Sequence, residues 1–259
     1  MVRIARRLDG VSLDSPTLVE GFPGVRLVGT LVVDHLVEHL DIAHDANVHC
    51  EGIPPVTTYQ TDSNELVTPV RRYVDADHDL LAPQSDVPIK PKAATAFADC
   101  VTGWFEEEAV LPIYISGLPR QVESEPALYG VGAGGAERLA AAGIDTPAET
   151  GLVSGPTGAL LAHAVESDTA AVGFVVESDP RFPGPDAATA VIERGIEPIA
   201  DLDVDTTELR DKAAEIEEAR KRILKTVQQA SKENSRAEPI RMYRQGSEPL
   251  SRRRASWHL

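Results

Sequence analysis

The chain has 259 residues, 42% of them hydrophobic, and a formal net charge of −16. That is enough apolar content for one large α/β domain, with or without an appendage. The acidity excludes a general nucleic-acid binder, which needs a basic face.

Two cysteines, Cys50 and Cys100, supply no disulfide framework. They read as reduced core thiols in a reducing compartment. Residues 1–7 lead into Leu8-Asp9-Gly10 rather than an apolar run, so no signal peptide is expected. No stretch approaches the ~20 apolar residues of a membrane helix. The expectation is a soluble, cytoplasmic protein with neither a membrane nor a nucleic acid as partner.

Residues 1–14 read as a lead-in, and 17–22 as a buried strand that turns through Gly21 to Gly24. Residues 25–40 read as a helix, since Leu27, Val28, Leu31, Val32, Leu36, Val37 and Leu40 keep a 3.6 period. A short strand follows at 47–50. Segments 56–60 and 66–74 are β-rich around the turn Asp62-Ser63-Asn64-Glu65. Residues 79–82 form a further strand that ends at Pro83. A helix at 93–108 presents Phe97, Val101, Trp104 and Phe105 on one face. Strands at 110–116 and 127–131 precede a short helix at 136–142 that Gly143 caps. A helix opens at Gly155-Pro156 and runs to about 167. Residues 170–177 are nearly all apolar, as in a sheet covered on both faces. Residues 187–194 form another helix.

This alternation predicts an α/β fold with a largely parallel sheet, extended by an antiparallel block at 47–74. Three regions are expected: an α/β core at 1–205, an amphipathic helix at 206–231 and a flexible tail at 232–259. Leu209, Ile216, Ile223 and Ala230 recur every seven residues in that helix, a narrow seam for packing on the parent domain or within an oligomer.

Several motifs bear on chemistry. His35-Leu36-Val37-Glu38-His39 matches the inverted zinc-peptidase pattern. A third ligand is not evident, and an ordinary amphipathic helix ending in His explains it as well. Gly130-Val131-Gly132-Ala133-Gly134-Gly135 fits the dinucleotide pattern, with Glu149 at a plausible distance. Without a clean crossover behind it, a flexible loop is the better reading. Gly24-Val25-Arg26-Leu27-Val28-Gly29-Thr30 lacks the Lys of a nucleoside-triphosphate loop. Ser154-Gly155-Pro156-Thr157-Gly158 can hold an anion at a helix start or act as a simple cap. No set supplies nucleophile, base and oxyanion donor together, so no catalytic residue, metal or cofactor is assigned. If a pocket exists, its residues are Glu20, Gly21, Pro23, Gly24, Gly130, Ser154, Gly155 and Thr157, at strand ends where open α/β sheets take ligands.

Leu18-Val19-Glu20-Gly21-Phe22-Pro23-Gly24, then Leu27-Val28-Gly29 and His39-Leu40, resembles the opening of the proteasome assembly chaperone 2 family. Ile53-Pro54-Pro55, Tyr129-Gly130-Val131, Ser154 through Leu161, Val172-Gly173-Phe174 and Phe182-Pro183-Gly184-Pro185 follow in that family's order. The resemblance covers about residues 15–230. It implies a three-layer α/β/α domain similar to the nucleoside-phosphorylase-like fold, with a C-terminal amphipathic helix. It further implies a non-enzymatic, homo-oligomeric chaperone that binds proteasome α-subunits. The family's hydrophobic–Tyr–any-residue tail resembles Met242-Tyr243-Arg244, although fifteen residues follow it here and end in Ser256-Trp257-His258-Leu259. Some archaeal relatives carry a carboxylate–amine ligase label; a small-molecule site at the strand ends is the alternative reading. The 19 Arg against 6 Lys and the acidity resemble halophilic archaeal proteins, in which strong salt screening makes self-repulsion cheap.

Overall fold

The computed structural model describes residues 3–234 apart from 24–26, 41, 51–52, 60–62, 108, 122–124 and 182–183. The chain divides into two units between Glu217 and Glu218. The first is built on an eight-stranded sheet: β1 (Arg3–Arg6), β2 (Thr17–Val19), β3 (Ala43–His49), β6 (Val70–Asp75), β7 (Leu80–Ser85), β8 (Leu111–Pro119), β9 (Leu128–Ala133) and β10 (Ala171–Ser178). A separate hairpin pairs β4 (Thr58–Tyr59) with β5 (Leu66–Val67). The helices are α1 (Val28–His39), α2 (Ala94–Glu107), α3 (Ala136–Ala141), α4 (Gly155–Glu166), α5 (Pro185–Val191), α6 (Glu197–Ala200) and α7 (Thr207–Asn234).

The sheet order is β1-β3-β6-β7-β2-β8-β10-β9. Strands β7, β2, β8 and β10 are mutually parallel; the remaining pairings are antiparallel. The sheet is therefore half parallel rather than largely so, because β6 and β7 are joined by a link too short for a crossover helix and the chain from β3 to β6 forms the β4–β5 hairpin instead of a helix. Residue parity then sorts the core into two layers. Val19, Ile113 and Ile115 pack toward α1 and α5. Leu18, Phe22 and Tyr114 pack toward Phe97 and Trp104 of α2 and Leu160 of α4. The result is a three-layer α/β/α domain whose central strands are apolar on both faces.

Several expectations change. The lead-in contains β1, which pairs with β3 from Arg3↔His49 to Arg6↔Ala46; a strand with a basic residue at each end shows no apolar alternation. β7 continues through Pro83, whose carbonyl accepts the N–H of Gly21 at 2.9 Å; proline lacks a donor but keeps its acceptor. The glycines at 130 and 132 lie in the edge strand β9, antiparallel to β10, not in a loop. Cys50 and Cys100 are paired in a disulfide that ties the end of β3 to α2, with Cα atoms 6.0 Å apart. The reading of reduced thiols is thus corrected, and the cysteines give no support to a reducing compartment.

Past α5 a π turn spans Ile192–Ile196. Pro198, at the start of α6, has no N–H to continue the regular ladder, which accounts for the widened turn. Helix α7 starts in the first unit, where Leu209 is buried in the α1/α5 core and Ala213 and Ile216 are half-buried. The heptad seam thus packs on its own domain over those turns. No described helix is long and apolar enough to cross a membrane.

Candidate functional site

Strand β2 is short, three residues from Thr17 to Val19. Its outgoing chain runs through α1 to β3 on one side; the chain leaving β8 leads to β9 and β10 on the other. The C-terminal ends of β2 and β8 therefore flank a topological switch point, the place where open α/β sheets bind ligands. Glu20 occupies it and is 1% exposed.

The backbone explains why a carboxylate belongs there. The Glu20 N–H still donates to the Ile113 carbonyl at 3.0 Å. Beyond that point β2 turns away, and the next donor on β8, the N–H of Ile115, has no strand to bond. Glu20 Oε2 accepts it at 3.2 Å. Glu20 Oε1 accepts the N–H of Phe22 at 3.2 Å. The Thr157 hydroxyl donates to Oε2 at 3.2 Å and reaches Oε1 at 3.4 Å. One side chain thus joins β2, β8, α4 and the start of the corner before α1. No cation pairs with it among the described residues, and burial pushes its pKa up to about 7 against the pull of those three donors. Tyr114 is raised as well, by burial and then by the Glu20 charge.

The corner is held tightly. A Cβ on Gly21 would lie 2.7 Å from Cβ of Val33, and one on Gly29 would lie 3.0 Å from the Glu20 carbonyl. Only glycine at both places lets α1 press onto the strand end. Leu27, immediately before α1, takes a left-handed φ of 57° and is half exposed. Gln84 bridges Gly21 through its backbone and donates its amide to Asp34 of α1. Burial raises the Asp34 pKa against that bond.

The residues named from sequence divide into four groups. Glu20, Gly21 and Thr157 come together at the switch point, with Pro23 just beyond. Ser154 and Gly155 open α4; Ser154 is exposed and makes no side-chain cap bond, and Gly155 has a φ of +72°. Gly130 is on edge strand β9 opposite Phe174, its bare Cα against Leu139 and Ile144. Gly24, Met242, Tyr243 and Arg244 lie outside the described residues. In this conformation Glu20 is sealed, so what the cluster does chemically is hold a proton near neutrality while closing the sheet.

The His-x-x-Glu-His segment lies at the end of α1. His35 Nε2 meets the Asp205 carbonyl at 2.8 Å, and burial lowers its pKa. His39 stacks on His35 with ring centroids 3.9 Å apart, and its Nδ1 lies 3.0 Å from the His35 carbonyl. His35 is thereby engaged as a tie to the chain before α7. Glu38, His39 and Glu208 do bring one ligand atom each within 4.8 Å of one another, all exposed.

Sequence reasoning overlooked a second polar centre, the buried pair Asp45–Arg72. Its signal was present: Val70-Arg71-Arg72-Tyr73-Val74 places two arginines inside an otherwise apolar strand, and buried charges require partners. Arg71 pairs with Asp86 through two bonds of 2.6 Å, and Asp86 also accepts from Thr58 of the β4–β5 hairpin at 2.7 Å.

The sequence model of the PAC2 family matches residues 18–224, and the chain belongs to that family. In structure it is similar to PbaA of Pyrococcus furiosus, described as an archaeal homolog of proteasome-assembly chaperone. That match has a TM-score of 0.72 and 21% identity, covering 91% of this chain and 96% of that one. It is similar to Pyrococcus furiosus PbaB, described as an archaeal proteasome activator, with a TM-score of 0.70 and 19% identity over 86% and 98% of the two chains. Among curated relatives, MJ0106 of Methanocaldococcus jannaschii is 26% identical over 98 residues, 38% of this chain and 40% of that protein.

Proposed function

We propose that the chain is a proteasome-assembly chaperone-like protein that acts without catalysis by binding proteasome α-subunits as a homo-oligomer. The observation that carries the reading is the PAC2 match across residues 18–224. The fold shared with PbaA and PbaB, whose descriptions both concern the proteasome, supports it. The α/β/α domain is the scaffold, and Met242-Tyr243-Arg244 supplies an aromatic anchor for a groove on the partner. The test is retention of purified α-subunits, in high salt, by the full chain and by a chain ending at residue 234. The full chain is expected to retain them and the truncated chain to retain several-fold less. Failure of both forms overturns the reading. Light scattering on the full chain checks the oligomer; a monomer at micromolar concentration removes that part of it.

A second reading, a small-molecule site at the ends of β2 and β8, draws on Glu20 at the switch point. A thermal-shift screen of nucleotides and carboxylates tests it. A stabilising compound whose effect disappears in Glu20→Gln supports a site there; no shift with any compound removes it.

A further inference from the structure

The joint between α1 and α7 brings together Glu38, His39 and Glu208, with one ligand atom of each within 4.8 Å of the others. Two elements far apart in sequence supply them. Leu209 is 2% exposed in the core it shares with α1, so the first turn of α7 is fixed and delivers Glu208 to the end of α1. The Asp205 carboxylate accepts the Thr207 N–H of that turn at 2.9 Å. The Asp205 carbonyl accepts from His35 Nε2 at 2.8 Å.

A carbonyl oxygen can only accept, and this decides the state of both rings. His35 carries a proton on Nε2, so that atom is no metal ligand. His39 Nδ1 lies 3.0 Å from the His35 carbonyl and therefore carries a proton too. In the neutral His39 ring the free lone pair then sits on Nε2. Stacking on His35, with centroids 3.9 Å apart, holds the ring in that orientation. A bond from the far ring nitrogen to a carbonyl is the device that fixes the tautomer of metal-bound histidines.

His39 Nε2 faces Glu208 Oε2 at 3.6 Å. That is beyond the reach of an N–H···O hydrogen bond. Two ligand atoms that share a tetrahedral zinc ion at about 2.0–2.2 Å stand ~3.4 Å apart, close to this separation. Lys212 engages Glu208 Oε1 at 2.6 Å, which leaves Oε2 to an ion. Glu38 is exposed and supplies the second carboxylate, so the two acids balance a divalent charge. The side chains of His39 and Glu208 are 26% and 48% exposed, so an ion reaches the group and water completes its coordination. One imidazole with two carboxylates suits zinc; magnesium and calcium favour oxygen donors alone.

We propose that Glu38, His39 and Glu208 bind a zinc ion that ties the end of α1 to the first turn of α7. The two histidines of the His-x-x-Glu-His segment do not share this ion, as the bare motif would have it. His35 is instead the positioning residue that holds the His39 ring. The site makes no use of Glu20 and does not depend on the proteasome reading.

The test is calorimetric titration of zinc chloride into the full chain, untagged and first treated with chelator. One ion per chain is expected to bind in the micromolar range, with magnesium and calcium at least tenfold weaker. His39→Ala and Glu208→Gln are each expected to weaken zinc binding at least tenfold. Both positions are exposed, so in chelator both variants should melt as the wild type does. Zinc should raise the melting temperature of the wild type and of neither variant. In nitrogen-15 spectra of the imidazoles, zinc should shift His39 Nε2 and leave Nδ1 protonated. Three results would each overturn the proposal. Undiminished zinc binding by both variants places the ion on other histidines. Magnesium binding as tight as that of zinc reduces the group to an acidic surface cluster. Neither heat nor thermal shift at millimolar zinc leaves an ion pair of His39 with Glu208 and nothing more.

Discussion

Two buried carboxylates, Glu20 and Asp45, solve the same problem in different ways. Each is 1% exposed, and both lie on the α2/α4 side of the sheet. Glu20 is surrounded by uncharged donors, all of them engaged, and has no cavity of its own among those described. Its burial is tolerated by retaining a proton up to about pH 7. Asp45 is held by a guanidinium and keeps one buried oxygen without a donor among the described residues. The first arrangement closes a sheet; the second holds a charge pair at a β-bulge. A carboxylate's burial alone therefore says little about function, and the state of its remaining lone pairs says more.

Removing the cation should have the largest effect. Arg72→Ala strands Asp45 without a partner and strips a cation from the face of Trp104. The expected loss is about 3–5 kcal/mol by denaturant unfolding. The double variant Asp45→Leu, Arg72→Met should lose clearly less than Arg72→Ala, because no charge is left unpaired. Equal losses would mean that packing rather than charge dominates at that pair.

The strand that carries Asp45, β3, also leads into a covalent tie to α2. The Cys50–Cys100 disulfide closes a separation of 50 residues. Its removal in Cys50→Ser, Cys100→Ser is expected to cost about 2–4 kcal/mol. Hydrogen exchange should quicken in β3 and α2 and change little in β8 and β10. Uniform quickening would show that β3 with α2 and β8 with β10 do not open independently.

Glu20 should reveal itself through pH. Its folded pKa of about 7 exceeds the ordinary 4.5, so the native state binds more protons than the unfolded chain between those values. Its contribution to stability is fully present below about pH 4.5 and is lost as pH rises through about 7. The total is about 3 kcal/mol at 1.36 kcal/mol per unit. Glu20→Gln cannot ionise and should flatten that fall, at a cost of about 1 kcal/mol at pH 5 for one acceptor lost. An unchanged slope would place the titration elsewhere.

How far the sequence revealed these two carboxylates and the fold around them follows from what each depends on. The apolar run of β10 and the 3.6 period of α1 are local and legible. So was the placing of Glu20 at the end of a strand beside Gly21, since a glycine turn after apolar residues marks that end. That Thr157 meets Glu20 depends on 137 residues of intervening fold, and spacing does not encode it. β1 carries no alternation and exists only through its pairing with β3. The Asp45 bulge is a register event between two strands and is invisible in either one. Cys50 and Cys100, isolated in the chain, gave no sign of pairing, which required β3 and α2 to be brought together first.

The smallest effect separates a structural hydroxyl from one that holds charge. Thr157 donates to Glu20 from the first turn of α4, and such a bond favours the ionised carboxylate. Thr157→Val keeps the shape and removes the donor. At pH 8, where Glu20 is mostly ionised, the loss should be about 1–2 kcal/mol, in the range of hydrogen bonds to charged groups. At pH 5 the carboxyl holds its own proton and still accepts from Ile115 and Phe22, so the loss should shrink below about 1 kcal/mol. Equivalently, the fall in stability with pH should steepen, since the Glu20 pKa moves further up. A loss independent of pH would mean that Thr157 matters only for packing, and that the carboxylate at this end is held by the backbone of β8 and the corner alone.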